Sequence, residues 1–273
     1  MRHSASGDQP ISVLGRVCSI LDAFGPDDSV LGLPALRART GLPKATVHRL
    51  AHELAGYRLL EVTPGGFRLG LRLFEMGERV HPRQRLRELA MPHMEDLYEA
   101  THLTVQLGIL DGDDVVVVTK LNGRGELSVP TRVGARLPAH ATALGKALLA
   151  FSAPDAWHRV RDNGLAARTP STMVVPSLFE QELATVAASG VAYEREEADI
   201  GVCAVGAAVL GPDGQPLAAL AVAGPVGHFD LSRAAPAVRT AALALTRESR
   251  RSGPVVPNLT AVPAPYAEMA AMS

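Results

Sequence analysis

The chain has 273 residues, 47% hydrophobic and 20% charged, with a formal net charge of −1. That composition supports a buried core, excludes a disordered or collagen-like chain, and contains no apolar run near the roughly 18 residues a membrane helix needs. Met1–Pro10 lacks the apolar stretch of a secretion signal, and Cys18 and Cys203 stand far apart without ligand spacing, so a reducing cytoplasm without disulfide, metal or cofactor is expected.

From Ile11 to Phe24 the apolar residues Val13, Leu14, Val17, Ile20, Leu21 and Phe24 follow helical spacing, and Gly25-Pro26 stops them. Pro34 is placed to open a second helix that ends at Thr40 before Gly41, and Pro43 opens a third that reaches Ala55. Two helices across the short Gly41-Leu42 connection make a helix-turn-helix pattern. Leu59–Val62 and Gly66–Leu69 then flank Thr63-Pro64-Gly65, a hairpin that reads as a wing. Leu71–Leu89 is expected to be a charged linker helix, kinked or divided by Pro82.

From Met91 the pattern changes to strands mixed with helices. Thr104–Leu110 and Val115–Leu121 flank Asp111-Gly112, Leu127–Leu137 looks extended, and a helix is expected over Ala141–Phe151. Helices at Asp155–Arg161 and Leu178–Ser189, strands at Val202–Leu210 and Leu217–Ala223, and a last helix from Pro236 to Ser249 complete an α+β reading. The expected organisation is a tail (1–10), a winged helix-turn-helix (11–72), a linker helix (73–92), an antiparallel sheet with flanking helices (93–250) and a second tail (251–273).

Charge is unevenly spread. Between Gly32 and Arg72 seven Arg/Lys face two acids, a local +5 that leaves −6 on the remainder. A compact basic segment is the footprint of nucleic-acid binding. On the third helix Val47, Leu50, Ala51 and Leu54 share the face expected to pack. Ala45, His48, Arg49 and His52 occupy the opposite face, with Lys44 and Thr46 at its N-terminal edge. Arg49 suits a bidentate guanine contact, Lys44 and Thr46 suit phosphate, and Arg68 on the wing could reach an adjacent groove.

Three segments together carry a family resemblance. Ala35–Leu50 with Gly66–Gly70, Arg136–Ala150, and Gly190–Gly201 continuing to Ala219–Pro225 resemble the IclR family of regulators in order along residues 11 to 250. The resemblance implies a GAF-like effector domain, dimers pairing through the DNA-binding half, and often tetramers. It implies repression or activation of operons, commonly for catabolism of small organic or aromatic acids. It also places the effector pocket at Thr142, Ala143, Leu144, Gly145, Glu194, Val202, Ala204, Ala221 and Ala223. Relatives often carry Asp where Glu194 stands, Cys at Ala204, and Ser at Ala221 and Ala223, so a less polar pocket is expected here.

The expected partners are therefore double-stranded DNA with a palindromic operator, a second copy of the chain, and a small, largely apolar organic or aromatic acid. Backbone N–H groups at the start of the Ala143 helix would attract the acid's carboxylate. Glu194 would accept a ligand hydroxyl or face solvent, and the ligand would act on DNA binding through the Leu71–Leu89 helix. Two rivals stay open. In one the second domain only oligomerises, with Gly145 and Gly201 structural and Glu196-Glu197 a solvated charge run. In the other, a small-molecule hydrolase, His140, Thr142, Lys146 and Cys203 form a nucleophile–base set, although no Gly-Xaa-Ser-Xaa-Gly elbow is present.

Overall fold

The computed structural model describes residues 12–79, 81–125 and 128–251, and the chain divides into two units at Val80/His81. The expectations for the tails 1–10 and 252–273, for Ile11 and for Leu127 lie outside the described residues.

In the first unit α1 (Val13–Asp22) starts on Ser12, whose Oγ accepts the Gly15 N–H at 3.0 Å. Ile20 is fully buried, whereas Val13 and Leu14, read as part of the packing stripe, are 61% and 76% exposed. Helix α2 (Leu33–Thr40) ends where Gly41 turns into the left-handed region at φ +68°, a conformation glycine adopts without steric cost. Pro43 then leads into α3 (Lys44–Gly56), which buries Val47, Leu50, Ala51 and Leu54 against Ile20 and Leu36. The hairpin of β1 (Leu60–Thr63) and β2 (Gly66–Leu69) turns through Pro64-Gly65. Leu31 pairs with Phe67 beside it, donating at 2.8 Å and accepting at 2.9 Å. A Cβ at Gly66, which sits at φ +139°, would overlap the Leu31 carbonyl, so glycine is what lets the wing close on the body. Helix α4 (Leu71–Glu78) ends the unit and leaves Leu71, Phe74 and Met76 largely exposed.

The second unit is built on a six-stranded antiparallel sheet. Its strands are β3 (Thr104–Asp111), β4 (Asp114–Leu121), β5 (Arg136–Pro138), β6 (Ala192–Arg195), β7 (Val202–Leu210) and β8 (Pro216–Pro225). They lie in the order β5-β4-β3-β8-β7-β6. Side chains alternate across it. Val105, Leu107, Val205, Leu220 and Val222 face α5 (His81–Thr101) and α9 (Leu231–Arg251) in one core. Ala192, Ala219 and Ala221 face α6 (Ala143–Phe151), α7 (Pro154–Asp162) and α8 (Pro176–Ser189) in another. Close approach of α6 to the sheet depends on small residues: a Cβ at Gly206 would stand 2.9 Å from the Ala143 carbonyl oxygen.

The Leu71–Leu89 stretch is divided, as expected, into α4 and α5, but the break comes ahead of Pro82, which lies in the first turn of α5, where a missing N–H costs nothing. Three expectations are corrected. Helix α5 runs on through Pro92 to Thr101 because Leu86, Ala90, Met94 and Leu97 bury one continuous helical face, which outweighs the one hydrogen bond lost at proline. Helix α9 begins at Leu231, five residues before Pro236, with the Asp230 carboxylate accepting the Ser232 N–H at 2.8 Å. Among the described residues of Leu127–Leu137 only Arg136–Leu137 belong to a strand, and β6 was not anticipated.

Candidate nucleic-acid interface and ligand pocket

The outward arc of α3 is formed as its period dictates. Lys44, Ala45, His48, Arg49 and His52 are exposed and Thr46 is half-buried. Pro43 supplies no side-chain cap, so the first N–H groups of α3 face outward beside Lys44 and Thr46, and such a helix start favours an anion. Arg49 Nη1 lies 3.0 Å from Glu53 Oε2 in an exposed pair. His52 is tied down: its Nδ1 lies 2.8 Å from the His48 carbonyl oxygen and its ring meets the edge of Phe67 at 5.2 Å. Arg68 donates to Glu61 directly opposite on the hairpin at 2.7 Å, so reaching a groove requires it to exchange that carboxylate for phosphate.

In the second unit a narrow cavity opens between the sheet and the start of α6. Its volume is about 30 Å³. Ala221 and Ala223 of β8, Val202 and Ala204 of β7 and Glu194 of β6 form the floor and one side, and Thr142 and Leu144 form the lip. Two of the residues expected there do not line it. Ala143 packs beneath with Val129 and Ala204. Gly145 faces the 3-10 turn Ala139–Ala141, whose Ala139 backbone a Cβ would overlap. Sequence reasoning missed Gln106 on β3, Val129 and Thr131 in the β4–β5 loop, Leu137 on β5, and Ala198 and Asp199 after β6. The signal for Gln106 was present: one amide side chain in the otherwise apolar run Val105–Leu110, broken only by Gly108.

The helix start that was expected to hold a carboxylate is already capped. Thr142 Oγ1 accepts the Gly145 N–H at 3.1 Å, and Glu194 Oε2 accepts the Ala143 N–H at 3.3 Å. Glu194 Oε1 accepts the Ala198 N–H at 3.4 Å, so this carboxyl joins α6 to the β6–β7 loop. It is buried rather than facing solvent. Removal from water raises its pKa to about 7; the Ala143 and Ala198 N–H groups oppose that rise, and nearby Glu197 adds to it. Lys146, 1% exposed, does not pair with it. Its Nζ lies 2.6 Å from Glu197 Oε2 and donates to the Tyr193 carbonyl at 2.9 Å. Glu197 is therefore the buried half of an ion pair, not part of a solvated charge run.

The nucleophile–base set does not assemble. Cys203 is adjacent to Ala204 on β7 and so points to the other side of the sheet from the cavity. Burial pushes its thiol pKa up, opposite to what a nucleophile needs. His140 Nε2 is engaged with the Ala166 carbonyl at 3.0 Å. Among the described residues no group of three His, Cys, Asp or Glu is placed to hold a metal, and no helix is long and apolar enough to cross a membrane.

Comparison with known proteins places this architecture. A family described as the IclR helix-turn-helix domain matches residues 13–64, and one described as bacterial transcriptional regulator IclR C-terminal matches residues 79–247. The HTH-type transcriptional regulator XynR of Escherichia coli is 30% identical over 87% of this chain and 96% of its own. The HTH-type transcriptional regulator TtgV of Pseudomonas putida is 34% identical over 71% of this chain and 74% of its own. A crystal structure of an IclR homologue from Microbacterium hydrocarbonoxydans, complexed with 4-hydroxybenzoate, is 28% identical. It has a TM-score of 0.80 and covers 88% of this chain and 100% of that one.

Proposed function

The chain belongs to the IclR family of transcriptional regulators, which are not enzymes, and from that premise we propose that a small organic acid in the second-unit cavity controls how α3 engages an operator. The observation that carries the reading is the cavity itself, where walls of Ala204, Ala221 and Ala223 meet the buried polar side chains of Gln106, Thr142 and Glu194. An apolar site with a few polar anchors is what a small-molecule pocket requires. Its present width admits little more than water, so an aromatic or hydroxylated acid has to part the walls. The ligand therefore differs in affinity between two conformations, which is the condition for a switch. The ligand named for the Microbacterium homologue, 4-hydroxybenzoate, belongs to this chemical class.

On the DNA side, Arg49 is the base-reading residue, Lys44, Thr46 and the uncapped start of α3 take phosphate, and Ala45, His48 and His52 fill the groove wall. One such helix spans only a few base pairs, so the working form is a dimer on inverted half-sites. Footprinting with the full chain on the DNA flanking its own gene tests this: two inverted protected half-sites are expected. A single unpaired site, or a chain that stays monomeric by light scattering with DNA present, contradicts it.

A further inference from the structure

The cavity has two chemically different ends. At the β6 end the Glu194 carboxyl and Asp199 line it. At the β3 end stands Gln106, 4% exposed, whose Nε2 is buried without a hydrogen-bond partner. A buried amide donor left unpaired is destabilising, so this end is poised for an acceptor. Directly across the β3–β4 ladder from Gln106 is Lys120, and directly opposed residues share a face with Cβ atoms roughly 5 Å apart. The Lys120 ammonium donates to the Val129 carbonyl at 2.7 Å and to the Thr131 carbonyl, and both residues line the cavity. Among the described residues no carboxylate lies within ion-pair distance of it, and partial burial lowers its pKa.

Gln106 and Glu194 are three strand steps apart in the order β3-β8-β7-β6 and two residues apart along the strands, since Glu194 shares its row with Ala204, Ala223 and Thr104; at ~4.8 Å per step and ~3.4 Å per residue their backbones are roughly 16 Å apart. After both side chains have reached inward, the gap suits a molecule with polar groups at opposite ends, not a bare carboxylate. We propose that the effector is a hydroxylated organic acid bound with its carboxylate on Gln106 Nε2 at the Lys120 end and its hydroxyl donating to Glu194. This rests on the reading of the cavity as the effector site, and it moves the carboxylate from the capped start of α6 to the opposite wall. Lys120 acts as a positioning residue and brings a positive charge to that end.

The test screens glycolate, 3-hydroxybutyrate and 3- and 4-hydroxybenzoate by thermal shift on the full chain, beside acetate, butyrate and benzoate and the amide of each hydroxy acid. A hydroxy acid is expected to bind best in wild type. The best binder should weaken by about tenfold or more in Gln106→Leu. In Gln106→Glu it should be lost while its amide still binds, a reversal that loosened packing alone does not produce. Lys120→Met should weaken the acid more than the amide, and Glu194→Gln should narrow the preference for the hydroxy acid over its unhydroxylated partner. If no acid binds wild type, the effector reading itself falls. If an acid binds and Ala204→Phe abolishes it, while Gln106→Leu and Gln106→Glu bind it as wild type does, the cavity stands and this orientation is overturned. Should either Gln106 variant fail to fold, the acid-against-amide ratio in Lys120→Met decides, and an unchanged ratio refutes the assignment.

Discussion

The outer arc of α3 and the wall of the second-unit cavity solve recognition in opposite ways. On α3 the reading side chains are exposed and replaceable: Arg49 is 64% exposed and its partner Glu53 51%, so neither contributes much to folding. In the cavity Gln106, Thr142 and Glu194 are buried, and Thr142 and Glu194 also hold the fold. Glu194 caps α6 and fastens the β6–β7 loop, and outside the lining Lys146 joins α6 to β6 and Glu197. A surface reader can therefore vary without cost to stability, whereas a pocket residue cannot change without moving its scaffold. That coupling is what allows a ligand there to act at a distance.

Mutation of the two regions should separate stability from binding. The largest effect is expected for Lys146→Met, which leaves Glu197 as an uncompensated buried charge. Urea unfolding followed by Trp157 fluorescence should show a loss of about 3–5 kcal/mol, and a loss below ~1 kcal/mol would mean that the buried pair does not hold the second unit together. The next is a pH effect. Glu194 binds its proton more tightly when folded, with a pKa of about 7 against the ordinary 4.5. Its contribution is thus fully present below pH 4.5 and lost as pH rises through 7. Relative to Glu194→Gln, wild type should lose up to about 3 kcal/mol between pH 4.5 and pH 8, and parallel stability curves for the two proteins would contradict this. The smallest change in stability but a clear change in binding is expected on α3. Arg49→Ala should cost about 1–3 kcal/mol of operator affinity while unfolding stays within ~0.5 kcal/mol of wild type. Lys44→Ala should weaken all DNA alike and lower the salt slope by about one. An Arg49→Ala protein that binds its operator normally would remove α3 as the reader.

The same contrast decides how much could be read in advance. The α3 arc lies within nine consecutive residues, so the helical period alone places every member. The cavity draws on β3, β5, β6, β7, β8, α6 and two loops, and only the strand order brings Gln106 within reach of Ala221, its cross-strand partner on β8. Local rules also lost to burial where the linker helix was ended at Leu89 and the last helix was started at Pro236, although in each case a long apolar face carries the helix further, through Pro92 and through Pro236. Strand β6 has four residues and no clear alternation before the acidic loop, so its pairing with β7 had no local signature. The capping of Ala143 by Glu194 spans 51 residues of sequence, which is why a free helix start was expected where a closed one stands.

The central claim is that occupancy of the cavity governs operator binding, and Ala204→Phe tests it most directly, with Ala204→Val as a milder companion. Ala204 is buried on β7 facing the cavity, so the larger ring fills the space an acid would take. Operator affinity measured by fluorescence anisotropy with and without the best-binding hydroxy acid should change in wild type, change less in Ala204→Val and stay constant in Ala204→Phe, at whatever level the filled cavity sets it. An Ala204→Phe protein that binds operator and still responds to the acid as wild type does would contradict the account.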